Sequence, residues 1–191
     1  VVEHSELKGM GTTFSGLAVT GDLITTAHIG DSRIYLVSGN RMQQVSKDHT
    51  FVQRLIDTGR ITPEEAQIHP RRNVLMRVLG DVELEPEIDT EIFKAQVGDR
   101  WMLCSDGLCG VVPAEIIESI LTNKSVDAEE ATELLIYEAL EHGAPDNVTV
   151  VVLDVLPAEI AEPVSPRFVG SAENDVVIAE PKGLSLVRIF N

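Results

Sequence analysis

With 191 residues, 43% of them hydrophobic, the chain can bury the core of one ordinary domain, with or without a tail. Its formal net charge of −16 and pI near 4.6 exclude a nucleic-acid backbone or an anionic membrane surface as main partner, since either would be repelled. No run approaches the roughly 18 apolar residues of a membrane-spanning helix.

The opening VVEHSELK has no basic start followed by a long apolar region, so no signal peptide is expected. The sequence does not begin with Met and reads as a piece of something longer. Two strands, TTFSGLAV and LITTAHI, are expected between Gly11 and Ile29, joined by Thr20-Gly21-Asp22, residues that tolerate unusual backbone angles. Arg33 to Val37 and Met42 to Val45 flank Ser38-Gly39-Asn40, a second hairpin signal.

A pair of short helices follows. FVQRLIDTG carries helical apolar spacing at Phe51, Val52, Leu55 and Ile56, and Gly59 suits its C-terminal cap. Thr62-Pro63-Glu64-Glu65 has the pattern of a capping box, with proline at the first helical position, and Pro70 ends the element. Two helices between strands form a surface lobe, and such lobes often flank a site.

Glu91 to Gly110 returns to strand, FKAQVGD turning into RWMLCSDG. A helix is expected over Pro113 to Leu121, and a longer one from Asp127, as N-cap, to Gly143. The second would bury one broad face of Ala131, Leu134, Leu135, Ala139 and Leu140. NVTVVVLDV, Asn147 to Val155, is so rich in β-branched residues that it reads as a strand buried on both faces or close to it. From Pro157 onward, four prolines among Ala, Glu, Ser and Gly indicate a linker or tail over 157–191.

Three carboxylates stand where apolar strands meet the outside: Asp31 after LITTAHIG, Asp106 after RWMLCS, and Asp146 before NVTVVV. If the last strand runs antiparallel to its neighbours, all three share one rim. Converging carboxylates raise one another's pKa unless a cation lies between them, and all-oxygen sites suit magnesium or manganese. A water on such ions is a nucleophile at neutral pH. Zinc is disfavoured, for there are no paired Cys or closely spaced His ligands. Singly, each aspartate is better explained as a turn residue, and Asp31-Ser32-Arg33 as a local ion pair.

Other polar residues have plainer explanations. His28 suits a buried position behind the Asp31 turn, while His49 and His69 bracket the helical lobe as helix caps. Cys104 suits a small buried hydrophobe, because no phosphate-cradling loop with arginine follows it. Cys104 and Cys109 are too close in sequence for a useful staple, so a reduced, cytoplasmic setting is expected. Arg71, Arg72 and Arg77 could meet a phosphorylated substrate or pair with nearby acids, and Arg33 suits a structural role.

GMGTT (Gly9 to Thr13), HIGDSRIYL (His28 to Leu36), DHT (Asp48 to Thr50), HPRRNVLMRVLG (His69 to Gly80), GDRWMLCSDGL (Gly98 to Leu108) and PDNVTVVV (Pro145 to Val152) follow in order. In these six motifs, from about Gly9 to Val155, the chain resembles the metal-dependent protein phosphatases, the type 2C serine/threonine phosphatases, in their compact bacterial form.

The resemblance implies an α+β fold, a two-layer antiparallel β-sandwich flanked by helices, N-terminally incomplete here, with a catalytic domain over 1–156. It implies a centre of two or three Mn2+ or Mg2+ ions. Asp106 and Asp146 would match ligands of the metal pair, Asp31 a ligand of the third ion, and Thr50 to His69 the flap beside the site. Phosphorylated proteins and serine/threonine protein kinases are the partners implied, with a membrane-anchored parent compatible with a cytoplasmic catalytic domain.

The family also carries, upstream of the GTT strand, a phosphate-binding arginine and a DGxGG segment whose aspartate bridges the metals. The only Asp-Gly in this chain is Asp106-Gly107, so neither is present and the catalytic groups would lie upstream of Val1. Two functions remain open: a metal-dependent phosphatase whose isolated fragment turns over poorly, and a pseudophosphatase or phosphoprotein-binding module without catalysis.

Overall fold

The computed structural model describes residues 9–80 and 86–157. The two hairpins form as expected: β1 (Phe14–Thr20) pairs antiparallel with β2 (Leu23–Ile29), and β3 (Arg33–Ser38) with β4 (Arg41–Gln44). They do not continue into one meander. After Ile29 the chain leaves its sheet, and β3 begins a second one. β1 and β2 combine with β5 (Asp89–Lys94) in the order β1-β2-β5, while β3 and β4 combine with β6 (Arg100–Cys104) and β7 (Val150–Asp154) in the order β4-β3-β6-β7. Every pairing is antiparallel.

Strand alternation builds two apolar layers. Ile34 and Leu36 of β3, with Trp101 and Leu103 of β6, face Leu17, Ile24 and Phe93 from the other sheet, so this cluster is the inside of the sandwich. The intervening Tyr35, Val37, Met102 and Cys104 point the other way, against helices. Those helices are α3 (Asp106–Cys109), α4 (Ala114–Thr122) and α5 (Ala128–Glu141), whose Leu108, Ile117, Leu121 and Leu135 are almost wholly buried. Arg100 fastens this layer at its far end. It forms a fork on Asp154 (2.6 and 2.8 Å) and donates to the carbonyls of Leu121 and Val126.

The lobe between β4 and β5 in the chain is α1 (Phe51–Asp57) and α2 (Pro63–Gln67). Thr50 caps α1 by accepting from the Gln53 N–H, and Thr62 and Glu65 complete the capping box reciprocally. Gly59 has φ 65°, the left-handed conformation that closes α1.

Three expectations need correction. The run read as strand up to Gly110 ends at Cys104, and Asp106–Cys109 is the short helix α3. β7 is not buried on both faces: it is the last strand of its sheet, Val151 is 53% exposed, and the strand starts only at Val150 because Asn147 and Thr149 bond to Ser105. On α5 the buried stripe is narrower than expected. Ala131, Leu135 and Ala139 lie inward at four-residue spacing, whereas Leu134 and Leu140 are exposed. The expected linker, Pro157 apart, lies outside the described residues.

Candidate metal centre

Antiparallel pairing decides where the three aspartates go. Arg33, at the start of β3, is registered with Cys104, at the end of β6, and Cys104 with Val150, at the start of β7. Asp31 precedes the first, Asp106 follows the second, and Asp146 precedes the third, so all three lie beyond the same end of one sheet.

Asp106 is the first residue of α3, and Ser105 before it joins two strand ends. The Ser105 N–H donates to the Thr149 carbonyl, and its hydroxyl accepts from the Thr149 N–H and lies 3.1 Å from the Asn147 carbonyl. The Asp146 carboxylate accepts from the Asn147 N–H at 2.7 Å. Asp106 and Asp146 thus flank one knot of backbone bonds.

Asp31 sits in the β2–β3 turn. Partial burial, then the Asp106 carboxylate, then that of Asp48, push its pKa up to about 6. A cation would offset both the burial and the repulsion at Asp31, and carboxylate donors suit a hard dication. Of the three sheet-end aspartates, Asp106 is the one whose charge Asp31 feels. Among the described residues no three His, Cys, Asp or Glu side chains come close enough to hold one ion.

The turn bearing Asp31 is heavily anchored. Arg33 grips Asp48 with Nε (2.9 and 3.1 Å) and Nη2 (2.7 Å), and its Nη1 donates to the Tyr35 hydroxyl. The structural role expected for Arg33 is what it performs. Behind the turn, buried His28 donates from Nε2 to the Lys47 carbonyl and meets the Ser15 hydroxyl at Nδ1. Burial first, then neighbouring His49, lower the His28 pKa. Ser15 also reaches the Ser32 carbonyl, and the Ser32 hydroxyl meets Thr13.

His49 is not a helix cap. Thr50 takes that place, and His49 is buried, bonded to Gly30 and Asp89. Neither the Gly30 and Asp89 partners of His49 nor Asp48 as the partner of Arg33 was legible in the sequence, and the local ion pair expected between Asp31 and Arg33 is replaced by Arg33–Asp48. The DHT triplet was the available signal, but it shows only a helix start, not contacts with a turn about twenty residues earlier. His69 accepts the Arg71 N–H locally, Arg71 lies over the Phe51 ring, and Arg77 pairs with Asp89 and Glu87. Cys104 is buried, as expected, and both thiols are free. No described helix is long and apolar enough to cross a membrane.

Comparison with known proteins bears on this arrangement. The family model described as protein phosphatase 2C matches residues 3–148. The serine/threonine protein phosphatase PstP of Mycobacterium tuberculosis is 44% identical over 170 residues, which is 89% of this chain and 32% of PstP. The serine/threonine phosphatase stp of Listeria welshimeri is 40% identical over 149 residues, 78% of this chain and 58% of stp. The chain therefore spans less than two thirds of the length of these curated relatives.

Among solved structures, M. tuberculosis PstP superposes with a TM-score of 0.75 at 45% identity, covering 82% of this chain and 65% of that one. The catalytic domain of PstP in complex with two manganese ions gives 0.72 at 44%, covering 82% and 64%. Two antiparallel sheets with helices, ordered motifs and a carboxylate-bearing sheet end thus accompany a family match over most of the residues, and the chain belongs to the protein phosphatase 2C family.

Proposed function

We propose that this chain is the greater part of a metal-dependent phosphatase domain that hydrolyses phosphomonoesters on serine and threonine side chains of phosphoproteins. The carrying observation is that strand register sets Asp31, Asp106 and Asp146 beyond the same end of one sheet. In this proposal Asp106 and Asp146 hold ions of the metal pair and Asp31 a third ion. Mn2+ or Mg2+ there supplies charge neutralisation and an activated water. The chain's own part is to hold acceptor oxygens on strand ends that the sheet keeps rigid. Its relatives' names, and the manganese in the PstP complex, support the same assignment.

The catalytic portion is assigned to 1–156, with 157–191 as linker or tail and the lobe from Thr50 to His69 as the flap where substrates are chosen. Two free thiols suit a cytoplasmic setting, and serine/threonine kinases are the enzymes that would make the substrates.

The test is Mn2+-dependent release of phosphate from a phosphothreonine peptide, by the 191-residue chain and by a longer version carrying the family's upstream aspartate and arginine. The expected result is weak or no turnover by the first and robust turnover by the second, abolished by Asp106→Asn or Asp146→Asn with the fold retained. An inactive longer version favours the pseudophosphatase. Absence of divalent-ion binding in both overturns the metal assignment.

A further inference from the structure

One buried residue holds both backbone polar groups of the glycine that precedes Asp31. The His49 backbone N–H donates to the Gly30 carbonyl at 2.7 Å, and the Gly30 N–H donates to His49 Nδ1 at 3.1 Å. An amide N–H can only donate, so Nδ1 carries a lone pair and the ring proton is on Nε2. Nε2 donates to Asp89 Oδ2 at 2.9 Å, and Asp89 Oδ1 accepts from Arg77 at 3.0 Å. The His49 carbonyl accepts from the Met76 N–H at 2.7 Å, which commits its remaining polar group. Gly30 has φ 111°, and a side-chain carbon there would collide with Thr13.

We propose that His49 is a positioning residue for metal binding at Asp31: its Nδ1 lone pair fixes the Gly30 peptide and so holds the next carboxylate at the sheet end it shares with Asp106. The proposal rests on the metal-dependent reading above. Without a side chain, Gly30 has more backbone freedom than any other residue, and rotation at its φ and ψ swings Asp31 directly. The fixing bond is made by a ring whose tautomer Asp89 sets, an arrangement like the outer partners that orient ligands in metal sites. The same acceptor also satisfies a buried amide and so stabilises the fold, which is why the test reads metal affinity apart from stability.

The test separates the two ring nitrogens. In His49→Asn the amide oxygen replaces Nδ1 and still accepts from Gly30, while the bond to Asp89 is lost. In His49→Gln the reach to Asp89 is kept and the Gly30 acceptor is lost. Mn2+ titration calorimetry of the whole chain, with metal-free thermal unfolding alongside, is expected to show about tenfold or weaker affinity for His49→Gln. His49→Asn retains most of the wild-type affinity, and the Gln penalty disappears in an Asp31→Asn background.

Equal affinities for the Asn and Gln variants, or a Gln penalty that persists without Asp31, overturn the inference alone. A wild type that binds no Mn2+ either as this chain or as the longer version with the upstream aspartate overturns it together with the metal assignment, and where only the longer version binds, the same variants are compared in it. Should His49→Gln fail to fold, Asp89→Ala carries the test, because losing the acceptor at Nε2 frees the ring to move its proton to Nδ1. A partial affinity loss that depends on Asp31 is expected, and no loss overturns the proposal.

Discussion

Asn147 presents its backbone carbonyl to Gly107 so closely that no side-chain carbon fits between them. The contact joins α3, which begins at Asp106, to the loop that carries Asp146, and Ser105 bonds to the same loop on the other side. Gly107 is therefore fixed by approach, not by backbone angle.

Gly107→Ala is expected to destabilise the chain by about 2 kcal/mol, the usual cost of forcing an extra carbon into a packed place. Alanine's better helix propensity, about 1 kcal/mol in its favour, is too small to offset this. Urea unfolding measures the loss, and Mn2+ affinity should fall with it, because the loop must move away from Asp106.

A second prediction concerns α5. Leu135 is fully buried in the helix–sheet layer, and Leu134 is 38% exposed. Leu135→Ala is expected to cost about 2–5 kcal/mol and Leu134→Ala less than about 1 kcal/mol in denaturant unfolding. Equal costs would restore the broad buried face that the sequence suggests.

The same helix shows where sequence reading stops. Capping signals at Asp127, Thr62 and Gly59 are local, requiring only neighbours within a turn, and all three proved correct. The apolar runs placed Asp31, Asp106 and Asp146 at strand ends, and antiparallel registry then carried them to one end of the sheet. By contrast, β-branched composition cannot tell a central strand from β7 at an edge, because burial depends on which neighbours pair. The bonds from His49 to Gly30 and Asp89 and from Arg33 to Asp48 span 15 to 40 residues, and no periodicity records them.

The Arg33–Asp48 fork yields a third prediction. Three donor contacts between 2.7 and 3.1 Å join the start of β3 to the approach to α1, with Asp48 largely buried. Arg33→Lys keeps the charge but cannot reproduce the planar fork, so it is expected to lose about 1–2 kcal/mol in urea unfolding. Wild-type stability in that variant would mean that charge alone holds the turn.

The last prediction concerns Asp31 and has a sign that metal reverses. Its folded-state pKa, about 6, lies above the ordinary value of 3.8, so the folded chain holds this proton more tightly than the unfolded one. The cost of an ionised carboxylate in the fold is thus fully present above about pH 6 and gone below 3.8. In metal-chelating buffer, Asp31→Asn should stabilise the chain at about pH 8 by on the order of 1 kcal/mol, allowing for solvent screening at a partly exposed group. The gain should shrink as the pH falls through 6. With saturating Mn2+ the same substitution should destabilise at about pH 8, since the wild-type carboxylate then has a cation whose binding stabilises the fold. Thermal unfolding of both proteins, with chelator and with Mn2+, across this pH range checks both signs. A stabilisation unaffected by Mn2+ would mean that Asp31 meets no ion, and that burial with repulsion from Asp106 and Asp48 is its whole electrostatic situation.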